Sequence, residues 1–348
     1  MKNQIISLAM IAGLAACSGG NPFDVVETEE VAGGETDGDG ITTDSGVPPG
    51  TVSPSAGSTV FRSEPLSDAA GAENYGNGFA NSVSYNSADD TFTVNNLAFD
   101  GDSPYQRGTI VSSLNEGRFA VYEAEDSATD PIGGGAIDQL TYRAVYGVSR
   151  NRTDTGIPTT QFAIIRTGNY IPYGFGGFIY QRDETVTLPA SLQAGYTGSA
   201  GGLRDFKSGG GLQYTTSDIR ISVDYDDFDD GAAVRGAIEN RKVFDIDGND
   251  ITSEVANQIS EGLTELPIAR FVIGPGVLQE SGDLVGEITA NYTDVEGNVA
   301  SYETGNYYAI MSGDNAEEII GVFVLESASQ SSRDTSGFIA YRGDVLRP

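Results

Sequence analysis

The chain has 348 residues and carries 50 acidic against 19 basic side chains, which gives a formal net charge of −31. A surface this acidic argues against binding to nucleic acid or anionic lipid, and it is compatible with a cationic ligand. The chain contains neither His nor Trp, which excludes Ser-His-Asp and Cys-His catalysis and the common histidine metal sites. Composition leaves oxygen-ligand metals such as calcium plausible. Over the whole sequence we predict no catalytic residue, no metal site and no cofactor.

The first predicted element is a secretory signal over residues 1–16. Lys2 precedes an apolar run at residues 5–16, which is shorter than the roughly 20 residues of a membrane-spanning helix. The sequence Leu-Ala-Ala-Cys at 14–17 ends this run and matches a lipobox, in which the cysteine is acylated and starts the mature chain. Cys17 is the sole cysteine, and a free thiol in an exported protein is a liability. We predict lipidation at Cys17; the alternative is an ordinary signal peptide with a chance cysteine.

Residues 17–58 are predicted to form a disordered tether. Residues 18–58 hold 8 acidic side chains and no Lys or Arg, so they bury too little apolar surface to offset their ordering entropy. Two or more acyl chains on Cys17 anchor a protein stably to a membrane. Ser18, rather than an aspartate, follows Cys17, which favours the outer membrane. Whether the chain faces the cell surface or the periplasm stays open.

Residues 59–189 are predicted to form a smaller β-rich domain. Residues 79–85 and 91–97 alternate apolar and polar side chains on either side of Asp89 and Asp90, as in a β-hairpin. Four more strands are predicted at 117–124, 140–148, 159–166 and 175–181.

Residues 190–348 show longer and more regular strand patterns. Eight strands are predicted, at 192–203, 212–226, 232–240, 268–273, 284–292, 299–310, 320–327 and 335–341. Tight turns such as 294–297 favour antiparallel neighbours that close into a barrel, with a β-sandwich as the alternative. Charges on both faces and the missing outward apolar band argue against a barrel that spans the outer membrane. The predicted fold class is all-β, with a C-terminal eight-stranded antiparallel barrel. Residues 255–263 are predicted to form one or two helical turns.

Three stretches of the second half resemble a known family. They are Gly195-Tyr-Thr-Gly-Ser-Ala-Gly-Gly202, the long strand and Asp-Gly turn at 219–235, and the segment 305–323. The last is similar to a pattern of Gly, paired aromatics, Ala, Glu, Gly and Phe in the barrels of transferrin-binding protein B lobes, factor H binding protein and related surface lipoproteins. Residues 309–312 lengthen this segment relative to the pattern, so we expect a different loop there.

The resemblance covers roughly residues 190–348 and implies a handle-like role for 59–189. It also implies binding of host proteins through the handle and the barrel loops, as in nutrient or iron acquisition. No partner-binding residue transfers, because those loops differ within the family. Transferrin itself is not the expected ligand, since one handle–barrel unit is present where full transferrin receptors carry two.

Two acidic segments and two loops are candidate sites. Residues 245–250 begin like a calcium loop, but Asp250 stands where the loop needs Gly and Ala256 where it needs Glu, so we expect a polar turn. The carboxylates at 224–230 suit a cation or a basic partner, with a solvated hairpin tip as the simpler interpretation. The loops 242–267 and 310–315 are where a ligand is first expected.

The sequence therefore predicts a monomeric, non-enzymatic outer-membrane lipoprotein that binds a protein or small solute, a cationic one included. One alternative is a structural envelope lipoprotein without a dedicated ligand. The other is a hydrolase that uses two facing carboxylates in a cleft, with a shifted pKa.

Overall fold

The computed structural model describes residues 40–43, 60–63, 80, 82–95, 97, 104–125, 127–129, 132–138, 140–154, 156, 158–168, 176–183, 185–207, 209–227, 233–327 and 329–343. The predicted signal, Cys17 and most of the predicted tether lie outside these residues.

The first part of the described chain is a curled β-sheet with a small separate hairpin. Its strands are β1 (Gly40–Thr43), β2 (Val60–Ser63), β3 (Ser82–Asn86), β4 (Thr91–Asn95), β5 (Tyr105–Arg107), β6 (Ser113–Leu114), β7 (Phe119–Glu123), β8 (Ser127–Thr129), β9 (Ala136–Asp138), β10 (Arg143–Val148), β11 (Thr160–Arg166) and β12 (Gly176–Arg182). Strands β8 and β9 form the separate hairpin, and β6 pairs with β7. The other strands follow the order β1-β3-β4-β5-β7-β10-β11-β12-β2. The sheet nearly closes, since β1 comes within 8 Å of β12 between Cα atoms.

The predicted tether needs a correction at β1. Residues Gly40–Thr43 pair in parallel with β3, with Ile41 opposite Val83. The prediction that all of 17–58 is disordered is therefore wrong for these four residues. They contain Ile41, Thr42 and Thr43 in succession, which are β-branched and uncharged, and an existing edge at β3 supplies hydrogen-bond partners that an isolated tether lacks.

The second part is a closed antiparallel barrel of eight strands, as predicted, and the β-sandwich alternative is wrong. Its strands are β13 (Gln193–Phe206), β14 (Gln213–Asp224), β15 (Val234–Phe244), β16 (Ala269–Phe271), β17 (Asp283–Thr293), β18 (Val299–Ser312), β19 (Glu318–Ser327) and β20 (Ser332–Arg342). The barrel closes where β13 pairs with β20. Helix α1 (Thr252–Ile259) lies between β15 and β16, close to the predicted helical turns.

Side chains fill the interior of the barrel. Alternate residues of the strands point inward, and Tyr196, Ile221, Ile288, Phe323 and Phe338 are at most 1% exposed in one apolar cluster. An eight-stranded barrel is just wide enough for such a core or for one small ligand. Here the side chains occupy that space.

The curled sheet has an aromatic core of its own. The Phe92 ring lies 5.3 Å from both Tyr122 and Tyr146, between ring centroids, and Tyr85 lies beside both tyrosines. All four rings are at most 2% exposed. Strands β11 and β12 are buried along their whole length, because one face covers this core and the other covers the barrel.

Glycines on the barrel wall admit aromatic rings from the curled sheet. A Cβ atom at Gly337 would come within 2.2 Å of the Phe162 ring, and one at Gly201 within 2.6 Å of the Phe119 ring. Phe178 adds a stacked contact with Tyr308 of the barrel, with 5.8 Å between centroids. Aromatic rings of the curled sheet therefore pack directly against the backbone of the barrel strands, which brings the two sheets close together.

Candidate functional site

The turn between β18 and β19 is held from inside the barrel. Tyr196 donates its phenolic hydrogen to the carbonyl oxygen of Ala316 at 2.6 Å, and its hydroxyl lies 2.9 Å from that of Tyr225. Ala316 has φ 49° and Gly313 has φ 98°, so the chain reverses tightly here. Residues 309–312, which we expected in an altered loop, continue β18 instead. Their interior positions are filled by buried apolar side chains, which favours strand over loop.

The segment that joins the two sheets passes along the same turn. The Gly313 amide donates to the carbonyl oxygen of Thr185 at 3.3 Å, and the Thr187 amide donates to the carbonyl oxygen of Gly313 at 3.1 Å. Arg182, at the end of β12, donates to the carbonyl oxygens of Met311 at 2.7 Å and Ser281 at 3.0 Å. This end of the barrel is thereby fastened to the curled sheet.

Glu318 begins β19 and is buried between the barrel and the connection from β10 to β11. Its carboxylate accepts hydrogen bonds from the hydroxyls of Ser149 and Thr159 and from the side-chain amide nitrogen of Asn151, the last at 3.0 Å. Burial raises the pKa of Glu318 above the ordinary carboxyl value, although these donors favour the charged form and oppose the rise. The side chain joins the two sheets through polar contacts.

A cleft opens beside Glu318, and we call it the junction cleft. Its volume is about 780 Å³, and it is lined by Arg150, Asn151, Arg152, Thr159, Ser312, Gly313, Asp314, Glu317, Glu318, Tyr341, Arg342 and Gly343. The Arg150 guanidinium lies over the Tyr341 ring, 3.9 Å from its centroid, and the Arg150 amide donates to the Tyr341 hydroxyl at 2.9 Å. Burial lowers the pKa of Arg152 and raises that of Tyr341. A phenol whose pKa is raised stays neutral at neutral pH, so Tyr341 offers Arg150 an uncharged ring.

A second groove lies against β14 and β15, and we call it the loop groove. Its volume is about 580 Å³, and it is lined by Ile110, Val111, Ser112, Ser113, Leu114, Asn115, Glu116, Thr216, Ser217, Asp218, Asn240, Lys242, Phe244, Asp247 and Gly248. Ile110 is exposed and Lys242 forms a 3.6 Å ion pair with Asp250. Apolar and charged groups thus share one surface, which the segment 110–116 and the barrel strands form together.

The two loops in which we first expected a ligand each contribute to one groove. The predicted loop 242–267 supplies Lys242, Phe244 and Asp247 to the loop groove, although the first two lie at the end of β15. The segment 310–315 supplies Ser312–Asp314 to the junction cleft. Sequence reasoning missed Arg150, which lies between the strands predicted at 140–148 and 159–166. Its neighbours in the cleft come from distant strands, so no local pattern marks it.

The predicted polar turn at residues 245–250 is confirmed. Asp245 accepts hydrogen bonds from the amides of Asp247 at 3.0 Å and Asn249 at 2.8 Å, and from the Asn249 side chain at 2.8 Å. These bonds, that of the Asn249 side chain foremost, lower the pKa of Asp245. The acidic segment 224–230 is described only as far as residue 227, where a 3₁₀ turn follows β14.

A pair of buried carboxylates lies inside the barrel. Arg241 contacts Glu303 at 2.7 Å and Asp334 at 3.6 Å, and these three side chains are at most 5% exposed. Burial raises the pKa of Glu303. Two carboxylates near each other with one shifted pKa are what the hydrolase alternative requires, but that alternative also requires a cleft. These groups neutralise Arg241 within the core and offer no surface to a substrate.

The described residues contain neither a candidate metal cluster nor a helix that could span a membrane. No group of three or more Asp, Glu, His or Cys side chains there is arranged to hold a metal ion. Within the same ranges, no helix has both the length and the apolar character needed to cross a membrane.

Neither a protein-family model nor a curated protein matches the chain. Solved structures do match. A double mutant of transferrin-binding protein B from Haemophilus parasuis aligns at 14% identity and a TM-score of 0.35, over 71% of this chain and 40% of that one. A crystal structure named surface lipoprotein aligns at 14% identity and a TM-score of 0.28, over 56% of this chain and 79% of that one.

A mutant of transferrin-binding protein B from Actinobacillus pleuropneumoniae aligns at 14% identity and a TM-score of 0.29, over 56% of this chain and 81% of that one. The chain thus spans about two fifths of the first relative and most of the other two. Similarity at these values does not extend to a ligand or a binding residue. The solved structures that this chain resembles are those of transferrin-binding protein B and surface lipoproteins.

Proposed function

We propose that the protein is a lipid-anchored, non-enzymatic binding module of the outer membrane. In this proposal residues 1–16 are removed as a signal peptide, Cys17 carries the lipid, and the acidic segment that follows holds the folded part away from the membrane. Residues 59–189 and 190–348 act as a handle-like domain and a barrel that together present a ligand-binding surface. The ligand is a protein or a small solute.

The observation that carries the proposal is the filled interior of the barrel. Because Tyr196, Phe323 and their neighbours occupy the lumen, a ligand has to bind outside it. Two outer grooves of about 780 and 580 Å³ lie where loops cross between the curled sheet and the barrel. Rigid strands that carry loops of this kind are a common platform for recognition.

The anchor is supported by the sequence Leu-Ala-Ala-Cys at 14–17 and by the absence of a second cysteine. Two acyl chains hold a protein on a membrane without a spanning helix. Names of the similar solved structures describe the same kind of role. For this chain, the support for the anchor is the lipobox sequence and the single cysteine.

The first experiment is membrane fractionation of Cys17→Ser, with Ser18→Ala as the matched control. We expect the Cys17 variant to leave the membrane fraction and the control to remain there, because Ser18 carries no lipid. A third variant, Ser18→Asp, is expected to move the protein to the inner membrane. Retention of Cys17→Ser on membranes would refute the anchor.

Protease treatment of intact cells separates a surface role from a periplasmic one. We expect the folded part to be cleaved from whole cells that produce the native protein. Protection until the outer membrane is broken would overturn the surface placement. That result would point instead to a structural envelope role.

A further inference from the structure

Arginines are concentrated in the junction cleft of an otherwise acidic protein. The chain has 19 basic residues against 50 acidic ones, and Arg150, Arg152 and Arg342 all line this one cleft. They come from two parts of the cleft wall: Arg150 and Arg152 from the connection that follows β10, and Arg342 from the end of β20. The same cleft also holds three carboxylates, so an anion is attracted only where a guanidinium is not faced by one of them.

The Arg150 guanidinium is held in an orientation that suits an anion. Its Cζ atom lies over the Tyr341 ring, 3.9 Å from the ring centroid, so the ring covers one side of the group. A carboxylate or phosphate binds a guanidinium in its plane, where it accepts two N–H hydrogens, and a ring above the group leaves that plane accessible. The exposed position of Arg150 lets a ligand reach that edge.

Main-chain carbonyls position the other two arginines. Arg152 donates to the carbonyl oxygen of Ser149 at 2.6 Å, and Arg342 donates to that of Asn315. A carbonyl acceptor carries no formal charge, so the contact with Asn315 orients Arg342 and leaves its charge in place, whereas Glu318 lies close enough to Arg152 to act on its charge. Elsewhere in the described chain, Arg241 and Arg333 contact buried carboxylates at 2.7 Å, which do cancel it.

Three carboxylates belong to the same cleft, and their placement limits how far they neutralise the arginines. Glu318 is buried and engaged by Ser149, Thr159 and Asn151. Glu317 turns back onto its own turn, where it accepts from the Asn315 amide at 3.3 Å. Asp314 is exposed on the rim.

We propose that the junction cleft binds the carboxylate or phosphate group of a small anionic ligand, with Arg150 and Arg342 as its principal contacts. The volume of about 780 Å³ lies within the range of roughly 300–1,000 Å³ that is typical of small-molecule sites. Asn151 and Ser312 line the same cleft and offer hydrogen bonds to hydroxyl groups of the ligand, whereas the Thr159 hydroxyl already donates to Glu318. The inference names a ligand class for the binding module proposed above and rests on that proposal for its biological role, whereas the lipid anchor does not enter the argument.

The test is calorimetric titration of the full-length lipidated protein in a nonionic detergent at low ionic strength. Citrate probes the carboxylate and inorganic phosphate probes the phosphate. The double variant Arg150→Gln/Arg342→Gln is compared with the matched control Arg235→Gln/Arg270→Gln, which removes the same charge from exposed positions on the barrel. Thermal unfolding of every variant confirms that it folds.

We expect one molecule of citrate or phosphate to bind, and the double variant to lose at least about tenfold in affinity while the control keeps it. Which probe binds more tightly identifies the chemistry of the natural group. Asp314→Asn removes a negative charge from the rim and is expected to tighten binding several-fold.

Two results would overturn the proposal. One is that neither citrate nor phosphate binds. The other is equal weakening in the double variant and the control, which would mean an adventitious ion only, attracted by overall charge. Arg150→Lys adds a check on geometry, since it keeps the charge but loses the planar donor pair and is expected to weaken binding.

Discussion

Glu318 shows how a single buried acid couples the two sheets. It lies in the barrel but takes its hydrogen bonds from Ser149, Asn151 and Thr159 of the other sheet. Burial penalises its charged form, which raises its pKa. The neutral carboxyl is thus preferred in the folded protein more than in the unfolded chain.

Stability should therefore depend on pH through this residue. A carboxyl whose pKa is raised on folding contributes stability that is complete below the ordinary value of 4.5 and is lost as pH rises through the raised pKa. We expect Glu318→Gln, which cannot ionise, to lose less unfolding free energy than the native protein as pH rises from 4.5 through the raised pKa.

Urea unfolding at several pH values measures this difference. Glu296→Gln is the matched control, because Glu296 is an exposed glutamate on the turn after β17. It is expected to follow the native pH profile. An identical profile for Glu318→Gln would show that Glu318 is not the source of the effect.

At the scale of elements, the contact between sheets depends on glycines in β13 and β20. Gly201 and Gly337 leave room for the rings of Phe119 and Phe162, which are buried between the sheets. The same rings contact each other, with 5.4 Å between their centroids. The two glycines thus leave space on the barrel wall, and the Phe119 and Phe162 rings of the curled sheet fill it.

We expect Gly337→Val to destabilise the protein by about 1–3 kcal/mol, because the new side chain overlaps the Phe162 ring. Chemical denaturation measures the loss. Gly274→Val is the matched control, since a Cβ atom there meets nothing within 4 Å.

Phe162→Ala in the Gly337→Val background tests the cause. Removing the ring makes room for the valine, so the two substitutions should be less costly together than the sum of their separate effects. Strict additivity would show that the valine acts through something other than Phe162.

For the whole molecule, these contacts predict cooperative unfolding. Strands β11 and β12 are buried on both faces, so neither sheet separates without exposing Phe162, Ile164 and Phe178 to water. The buried Arg166 also donates to Thr335 of the barrel at 3.0 Å. The two sheets therefore share part of their stability.

Native-state hydrogen exchange measures that cooperativity. We expect the slowest amides of β10 and of β18 to report the same unfolding free energy, within about 0.5 kcal/mol. A clearly higher value in the barrel would mean that the curled sheet opens independently and that the interface is weak.

Much of the barrel could be predicted from the sequence. Alternating residues such as Ile219, Ile221 and Val223 mark strands whatever their partners, because the side-chain period of a strand is local. Glycine turns such as that at Gly297, with φ 86°, mark the reversals for the same reason. The hairpin of β3 and β4 and the eight barrel strands followed from these signals.

Strand β1 shows where local signals fail. Gly40–Thr43 lie in a polar, acidic stretch, and only the open edge of β3 makes them a strand. Strand β16 is also shorter than the strand predicted at 268–273, because its length depends on its neighbours in the sheet. It pairs with β15 at only two positions, Ala237 and Ile238.

The sequence by itself determined the fold class, the eight-stranded barrel and Cys17 as the expected anchor, because strand period, turn chemistry and a lipobox are all local. Only the tertiary structure brought Arg150 beside Tyr341 and Arg342, and Glu318 beside Ser149 and Thr159. Arg150 is more than a hundred positions from Tyr341 and Arg342, and Glu318 is more than a hundred positions from Ser149 and Thr159. Their contact depends on how the two sheets close and meet, and short-range patterns carry no record of that.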